Sequence, residues 1–313
     1  MTLKVSVTGA RGFLGGRVAT GLAAAGHAVR LLTRHTQDMP SWAAGMEVLA
    51  VDIQDQQTLI DGLRGSDAVV HLAAMNAQES AADPKAAERV NVVGTKNTVE
   101  AVQSVNARRL LYISTAHVYG APLQGLYQEE TPTTNRHPYA ETHRRAEDLV
   151  CSAEDIEGVV LRLSNGVGAP MDRNANCWML IANDLCRQVA ETGALKLRGT
   201  GYDRRDFVPV SEVVRAINMM VANKASVVNP KLFNLAAGFS ISTLDLAYII
   251  SDRAEALFNV RPEIDYAPDD GNRPAGPTLD TKRLSRMGFE VASDLSDEID
   301  SILVFCRDEF GHA

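Results

Sequence analysis

Cysteine is scarce in this chain of 313 residues, which contains only Cys151, Cys177, Cys186 and Cys306. The four are far apart, form no C-x-x-C pair and have no histidine at metal-ligand spacing. This pattern argues against a disulfide framework and against a metal site. A reducing compartment, the cytoplasm, is therefore the expected location.

Long hydrophobic runs and concentrated basic stretches are also missing. No segment approaches the length of a membrane span, and Met1 to Thr8 alternate apolar and polar residues as a strand does, without the apolar region of a secretory signal. The formal net charge is −8, and no basic stripe is present. We therefore expect neither a membrane anchor nor a nucleic-acid partner, although local arginines can still hold small anions.

The residues that are present alternate strand-like runs with helix-period segments through the first half of the chain. This pattern predicts the fold class α/β, with a doubly wound parallel sheet covered by helices on both faces. The predicted strands are Leu3 to Thr8, Ala28 to Thr33, Glu47 to Val51, Ala68 to Ala73, Leu110 to Ser114 and Val159 to Ser164.

Beyond about Asn165 the alternation gives way to helices, short strands and loops rich in proline and glycine. We therefore predict a dinucleotide-binding domain over residues 1–165 and a smaller α/β lobe, mainly substrate-binding, over residues 166–313. Segments near 205–240 are candidates for packing back onto the first domain. Ligands of open α/β sheets bind at the carboxyl ends of the strands, so a lobe there would close over a substrate.

The first predicted strand runs into TGARGFLG, whose glycines have G-x-x-G-x-x-G spacing and are followed at once by a helix. Such glycines allow a tight turn and a close approach to a pyrophosphate, while the first helix amides supply donors. A simple strand-to-helix turn is the competing interpretation, but the position after the first strand favours a dinucleotide. The predicted contacts in this loop are Gly9, Arg11, Gly12, Phe13, Leu14 and Gly15.

The residues after the second strand bear on the choice between NADP and NAD. An acidic residue there would bond the adenosine ribose and repel a 2′-phosphate, whereas this chain has Thr33-Arg34-His35. Arg34, helped by Arg11, can bind a 2′-phosphate, so NADP is favoured and NAD is the second choice. The competing interpretation makes Arg34 a solvated charge at a strand end.

Further cofactor contacts are expected after the third and fourth strands. Asp52 stands where a carboxylate would meet the adenine amino group, although a helix N-cap is almost as good an interpretation. Ala73 and Ala74 are small where the cofactor would pass. His71 is interpreted as a satisfied polar group on the cofactor side of the sheet edge.

Eight segments that occur in one order carry a family resemblance: TGARGFLG, VDI, HLAA, NVVGTKN, YISTAHVYG, PYAETH, RLSNGVG and RRDFVPVSEV. Over nearly its whole length the chain resembles the extended short-chain dehydrogenase/reductase family, particularly its sugar-nucleotide epimerase, dehydratase and reductase branch. The resemblance implies a Rossmann-type sheet that binds NAD(P), with Ile53, Leu72 and Asn91 among the contacts. It also implies a homodimer formed through the helices that contain Pro84 and Tyr139.

In that family a Ser or Thr, a Tyr and a Lys manage the proton that accompanies hydride transfer at a carbonyl or carbinol carbon. The resemblance assigns Thr115 to the hydroxyl that bonds the substrate oxygen and Tyr139 to the general acid/base. Hydride delivery to a ketone builds alkoxide charge, which a phenol both stabilises and protonates. Four residues past Tyr139, where the family has Lys, this chain has His143.

The replacement matters because a free phenol titrates near pH ~10 and needs a nearby cation to ionise at neutral pH. His143 lies on the same helix face as Tyr139 and can take the place of the ammonium. A neutral imidazole would bond the ribose but lower the pKa of the phenol only weakly, whereas a protonated one would do both. A working substitute, a slow or specialised site and an inactive descendant all remain open, and an enzyme is favoured.

The resemblance also bears on the reaction. Dehydratases of the family carry acidic residues directly after the catalytic Thr, where this chain has Ala116 and His117, so 4,6-dehydration is not expected. The expected function is an NADP-dependent oxidoreductase that interconverts a keto and a hydroxyl group on a sugar or nucleotide sugar. The alternatives are an NAD-dependent sugar-nucleotide epimerase and a non-catalytic NADP-binding sensor.

For the substrate, Asn165 and Arg205 match family positions that touch the diphosphate of a nucleotide sugar. His117, two residues past Thr115, is a further candidate, while Arg205 could equally form a structural ion pair with Asp206. The family's R-P-G-D run is replaced by Pro268 to Pro274, where only Arg273 would offset two aspartates. A smaller carbonyl compound, or a sugar without a nucleotide, therefore stays open. We expect no metal.

Overall fold

The computed structural model describes residues 2–223, 231–269 and 271–311. Its strands, in chain order, are β1 (Lys4–Thr8), β2 (Ala28–Thr33), β3 (Glu47–Ala50), β4 (Ala68–His71), β5 (Arg109–Thr115), β6 (Gly125–Tyr127), β7 (Glu157–Leu163), β8 (Asn165–Val167), β9 (Ala194–Lys196), β10 (Arg204–Arg205), β11 (Phe207–Pro209), β12 (Leu232–Leu235), β13 (Ile241–Ser242), β14 (Glu263–Asp265) and β15 (Pro277–Leu279). Its helices are α1 (Phe13–Ala24), α2 (Gln56–Leu63), α3 (Ala77–Ala82), α4 (Pro84–Ala87), α5 (Gly94–Ser104), α6 (Pro138–Ser152), α7 (Ile181–Thr192), α8 (Val210–Ala222), α9 (Thr243–Phe258), α10 (Lys282–Arg286) and α11 (Ser296–Phe310). A π-helical stretch, Glu88–Val93, joins α4 to α5.

The central sheet confirms the predicted α/β class, because its seven parallel strands have the doubly wound order β12-β7-β5-β4-β1-β2-β3. The six strands predicted from the sequence are all present, with ends shifted by at most two residues. The seventh, β12, lies in the segment near 205–240 that was a candidate for packing back onto the first domain, but it was not predicted as a strand of this sheet. Its partner β7 precedes it by about seventy residues, as in the pairing of Leu232 with Val160, and no local pattern encodes so distant a pairing.

Helices cover both faces of this sheet, as the alternating pattern requires. On one face Leu22 of α1 and Ile217 of α8 pack against β1 in a fully buried cluster. On the other face Leu63 of α2, Val102 of α5 and Val150 of α6 form a second buried cluster. Each such side chain contributes roughly 1.5–3 kcal/mol when fully buried. The carboxyl ends of the strands stay uncovered by these helices and are available for a site.

The smaller lobe has its own core between α7, α9 and α11, where Leu185, Ile250 and Ile302 are buried together. The chain leaves the lobe through α8 and β12, which pack against α1 and extend the central sheet. The two-stranded pairings outside the central sheet include β8 with β11, immediately after β7. The lobe therefore begins at the carboxyl edge of the sheet.

Asp206 connects the lobe to the sheet. The residue is fully buried, and its carboxylate accepts hydrogen bonds from the Ser164 hydroxyl at 2.6 Å and from the amides of Ala237 at 3.0 Å and Gly238 at 2.8 Å. Its backbone oxygen also accepts from the side-chain amide of Asn165 at 2.8 Å. Asp206 thereby joins three segments that border the strand ends.

We expect Asp206→Asn to lower the free energy of unfolding by about 1–3 kcal/mol, because the new NH₂ group must face a hydroxyl or amide donor and leaves a buried donor unpaired. Urea denaturation measures the change. The control is Asp265→Asn on β14, an exposed carboxylate 3.9 Å from Lys196, where a loss below about 1 kcal/mol is expected. Equal losses in the two variants would contradict the linking role of Asp206.

Candidate active site

A cleft of about 1100 Å³ opens at the carboxyl ends of β1, β2, β4 and β5. Its walls come from the glycine loop, the segments after these strands, the first turns of α6 and the segment before α7. All but one of the residues predicted to be catalytic or to hold the cofactor line this cleft: Gly9, Arg11, Gly12, Phe13, Leu14, Gly15, Arg34, Asp52, Ile53, Leu72, Ala73, Ala74, Thr115, Tyr139 and His143.

The glycine loop is the tightest part of this wall. Gly9 has a φ of +67°, and a Cβ there would lie 2.7 Å from the Ala73 nitrogen. A Cβ on Gly15 would lie 2.2 Å from the Gly9 oxygen. Gly12 is the N-cap of α1 and has no side chain to satisfy the first helix amides. The loop therefore combines a close-packed turn with free amide donors, which suits a pyrophosphate.

Arg11 and Arg34 stand on the cleft wall with unused hydrogen-bonding capacity. Within the described ranges neither guanidinium forms an ion pair or a hydrogen bond, unlike most arginines of the chain. Arg34 is exposed just beyond the end of β2. Two unpaired guanidiniums on one wall favour an anionic group between them.

Asp52 lies on the wall beyond β3, and the alternative reading of it as a helix N-cap is wrong. Its carboxylate accepts a hydrogen bond from the Gln54 amide at 2.9 Å. The N-cap of α2 is Asp55, which accepts from the amides of Gln57 and Thr58. The cap is three residues further along because the chain makes a turn before the helix begins.

Asn91 is the cofactor candidate that the structure does not bring to the cleft wall. It is buried on the π-helical stretch, where its Oδ1 accepts from the Met75 amide at 2.8 Å and its Nδ2 donates to the Thr142 hydroxyl at 3.0 Å. Asn91 thus braces the segment after β4 against α6 from behind the cleft. His71 is likewise a satisfied polar group, as interpreted, but is fully buried, between the hydroxyls of Thr8 and Thr95.

Thr115 and Tyr139 meet at the end of β5. Thr115 is buried and Tyr139 is half-buried in the first turn of α6. Burial raises the pKa of Tyr139 above its usual value of 10.0, and a hydrogen bond with the Thr115 side chain offsets part of that rise. The Thr115 oxygen also accepts from the His117 amide at 3.1 Å. The two predicted hydroxyls therefore form one unit on the cleft wall.

His143 lies one helical turn after Tyr139, with the two ring centroids 4.5 Å apart and the planes inclined by 69°. Its Nδ1 is 2.6 Å from the Tyr112 hydroxyl, and its buried Nε2 has no partner in the described chain. Burial, and next the nearby His71, lower the pKa of His143 to about 3. Of the two protonation states weighed for His143, the neutral one fits this environment.

A buried ion pair fixes the next turn of the same helix. The Arg162 guanidinium of β7 contacts both carboxylate oxygens of Glu147, with a closest distance of 2.6 Å, and the Ser114 hydroxyl donates to the same carboxylate at 2.5 Å. The cations that follow His143 point elsewhere, since Arg144 pairs with Asp148 and Arg145 with Glu88. The position of α6 is thus set by polar contacts within the protein.

The residues predicted for the substrate lie beyond the cleft wall and contact other parts of the lobe. Arg205 donates to Asp203 at 3.0 Å and makes no ion pair with Asp206. Arg273 makes two 2.7 Å hydrogen bonds to Asp269 and lies 3.3 Å from the centroid of the Tyr202 ring. Asp270 falls outside the described residues. Both guanidiniums are therefore held by carboxylates near in sequence.

His117 and Asn165 are also outside the cleft wall. The side-chain amide of Asn165 is bonded to the Asp206 backbone, as described above. Desolvation, and then the charges of Arg205 and His137, lower the pKa of His117. None of the four predicted substrate residues therefore lines the cleft, and the Arg273 guanidinium lies on the Tyr202 ring.

Several cleft residues were missed from the sequence. Arg89, two positions before Asn91, adjoins a recognised motif and could have been found there. Others come from the start of α3 and the segment before α7, which are linked only in space: the Asn176 amide donates to Glu79 at 3.0 Å across 97 positions of sequence. Among the missed polar residues are Asn76, Glu79, Arg89, Asp172, Asn174 and Asn176, together with Gln54, Ser114 and Ser164 beyond or at the strand ends.

No group of three or more His, Cys, Asp or Glu side chains arranged to hold a metal occurs among the described residues. The four cysteines are free thiols. In the same part of the chain no helix is both long enough and apolar enough to pass through a membrane.

Comparison with known proteins gives a coherent set of relatives. The model of the NAD dependent epimerase/dehydratase family matches residues 5–236. The UDP-glucose 4-epimerase of Lactobacillus helveticus is 27% identical over 324 residues, covering 95% of this chain and 94% of its own. The 2-alkyl-3-oxoalkanoate reductase of Stenotrophomonas maltophilia is 33% identical over 223 residues, covering 68% and 64%. The structure of MoeE5 in complex with UDP-glucose and NAD matches with a TM-score of 0.78 and 25% identity, covering 98% of this chain and 100% of that one.

Two buried histidines should make the fold sensitive to acid. Burial lowers the pKa of His71 to about 4 and that of His143 to about 3, against an ordinary value of 6.5. As the pH falls, the histidines of the unfolded chain are protonated before those of the folded chain. The full free energy of unfolding is therefore present above pH 6.5. It is lost as the pH falls toward about 4, at about 1.4 kcal/mol per pH unit for each histidine.

Urea denaturation between about pH 7.5 and pH 5 measures this slope. His143→Gln removes one of the two protons taken up on unfolding and should make the slope shallower by about half of the histidine contribution. An unchanged slope in this variant would show that His143 does not contribute to the acid sensitivity.

Proposed function

Because the chain belongs to the NAD dependent epimerase/dehydratase family, and so to the extended short-chain dehydrogenases/reductases, we propose that it is an NADP-dependent oxidoreductase. In this proposal it interconverts a keto and a hydroxyl group on a sugar or nucleotide sugar. The observation that carries the proposal is that Thr115 and Tyr139 lie side by side on the cleft wall, close enough for the Thr115 side chain to lower the pKa of the phenol.

The two hydroxyls divide the work at the substrate oxygen. Thr115 donates a hydrogen bond that orients the carbonyl, and Tyr139 supplies the proton as negative charge grows on that oxygen. When bound, the nicotinamide supplies or takes up the hydride. In the reverse direction Tyr139 must first lose its proton, which its burial disfavours.

The cleft residues fit a dinucleotide. The absence of side chains in the glycine loop lets a phosphate come close to its backbone, and the first amides of α1 lack a side-chain cap. At the opposite end the buried Nε2 of His143 has no partner among the described residues, and a ribose hydroxyl would satisfy it. Asp52 lines the same cleft beyond β3, where it would meet the adenine amino group.

NADP is proposed over NAD because of charge at the end of β2. Thr33 occupies the position where an acidic residue would repel a 2′-phosphate, and Arg34 follows it. Arg34 and Arg11 are both unpaired on the wall, so an added phosphate would gain two charge-assisted contacts. MoeE5 was solved with NAD, so NAD is the alternative that the binding test must separate from NADP.

A polar substrate is proposed from the lining of the cleft beyond Tyr139. Asn76, Asn174 and Asn176 place side-chain amides on this wall, and amides can both donate to and accept from sugar hydroxyls. The relatives named above act on UDP-glucose or on 2-alkyl-3-oxoalkanoates. Members of both substrate classes therefore belong in any activity screen.

Tyr139→Phe should lower turnover by about 10²–10⁴-fold, because it removes the proton donor, while NADPH binding stays nearly unchanged. Reduction of a panel of keto sugars, UDP-4-keto sugars and 2-alkyl-3-oxoalkanoates measures turnover, and fluorescence titration measures binding. The control is Tyr248→Phe, on an exposed tyrosine of α9. A Tyr139→Phe enzyme that keeps most of its activity would refute the assigned acid/base role.

Arg34→Ala should weaken NADPH binding by about 10- to 100-fold through the loss of charge-assisted contacts, and should leave NADH binding nearly unchanged. Isothermal titration with each cofactor separates the two effects. The control is Arg286→Ala, which removes an exposed arginine of α10 outside the cleft. If NADH and NADPH weaken equally, Arg34 does not recognise the 2′-phosphate.

A further inference from the structure

We propose that Tyr112 is a positioning residue that holds His143 as the neutral Nε2–H tautomer, and that this arrangement suits the site to ketone reduction. The tautomer assignment stands on the geometry of β5 and α6. The preference for reduction rests on the proposed function, because it concerns the proton carried by Tyr139.

Hydrogen-bond geometry at Tyr112 fixes which ring nitrogen carries the proton. The Tyr112 side chain is 1% exposed, and its hydroxyl lies 2.6 Å from Nδ1 of His143. A buried hydroxyl proton without an acceptor costs about 1–3 kcal/mol. Within the described chain the other rings beside Tyr112 are His71 and His143, and both nitrogens of His71 are taken by Thr8 and Thr95. Tyr112 therefore donates to Nδ1, and the imidazole proton must be on Nε2.

The Nε2–H group then faces the ligand side of the site. His143 is 3% exposed and lines the cleft, and its Nε2 is buried without a partner in the described residues. Its ring stands edge-on to Tyr139. A single N–H donor in this position can bond an oxygen of the bound cofactor, the contact that an ammonium would otherwise make, but it brings no positive charge.

The groups packed around Tyr139 and His143 do not supply that charge either. The titratable neighbours of His143 are Tyr112 on β5, His71 on β4 and Tyr139 on α6 itself. One turn further along α6, the charge of Glu147 is neutralised by Arg162 of β7 in a buried ion pair. A tyrosinate at position 139 would thus have no unpaired cation among these neighbours.

This environment favours one direction of the reaction. In reduction the carbonyl carbon gains a hydride from the reduced nicotinamide, the π pair moves to oxygen, and that oxygen takes the proton of Tyr139. The ketone is reduced, the nicotinamide is oxidised, and solvent returns a proton to Tyr139. Oxidation of the alcohol requires Tyr139 as a base, hence a tyrosinate, which this uncharged surrounding disfavours at neutral pH.

The tautomer is tested by long-range ¹H–¹⁵N NMR on the full chain labelled with ¹⁵N-histidine, with His143→Gln to identify the His143 signals. We expect the Nε2–H pattern, without titration, between about pH 5 and pH 9. Tyr112→Phe should shift the Nδ1 resonance and populate the Nδ1–H tautomer, because the hydroxyl from which Nδ1 accepts is gone. The matched control is Tyr119→Phe, which removes another buried tyrosine hydroxyl, bonded to Asn234 at 2.7 Å, and should leave the His143 signals unchanged.

An Nδ1–H pattern, or a wild-type His143 that titrates in this range, would overturn the assignment to Tyr112. Because this measurement needs neither substrate nor turnover, its outcome is independent of the Tyr139→Phe activity test. The tautomer assignment can therefore be wrong while the proposed function is right, and the proposed function can be wrong while the tautomer assignment is right.

The directional part is tested by tyrosinate absorbance of the NADPH complex as a function of pH, taken as the difference between wild type and Tyr139→Phe. In the wild type Tyr139 should remain protonated to above about pH 10. His143→Lys should lower the midpoint of the Tyr139 titration by about one pH unit or more, because an ammonium is then close to the phenol. A wild-type midpoint below about pH 9 would overturn the preference for reduction.

Discussion

The site depends on one buried face of α6 held against the end of β5. Residues four apart on a helix share a face, and three such residues each lie beside a hydroxyl of the strand. The pairs are Thr115–Tyr139, Tyr112–His143 and Ser114–Glu147. Because the strand is central in the sheet and the helix is anchored by Arg162 of β7, the phenol of Tyr139 is positioned by the core of the protein.

These contacts make the inner end of the cleft polar but nearly uncharged. The ion pair lies deepest, where each charge has its partner, and the groups nearer the cleft are hydroxyls and imidazoles. Burial of such groups favours their neutral forms, which is why the pKa values of His71 and His143 fall and those of Tyr112 and Tyr139 rise. A site of this kind donates protons and hydrogen bonds more readily than it accepts protons.

The outer end of the cleft has the opposite character. Arg11, Arg34 and Arg89 line it, and none of them pairs with a carboxylate in the described ranges. The backbone there is shaped by steric constraint, since Gly9 and Gly15 have no room for a Cβ. One end of the cleft is therefore suited to the phosphates of a ligand and the other to a neutral reacting group.

The sequence by itself determined the central sheet and the glycine loop, because these follow from local periodicity and from a motif of fixed spacing, and the family resemblance of its segments pointed to Thr115 and Tyr139. Only the tertiary structure decided what depends on contacts between distant segments. These are the place of β12 beside β7, the burial of Asn91 between Met75 and Thr142 instead of on the cleft wall, and the Asn176–Glu79 contact. The state of His143 belongs to the same group. Its position was evident from the helix repeat, but its neutrality comes from burial and from Tyr112, thirty-one positions earlier in the chain, and no local pattern encodes that environment.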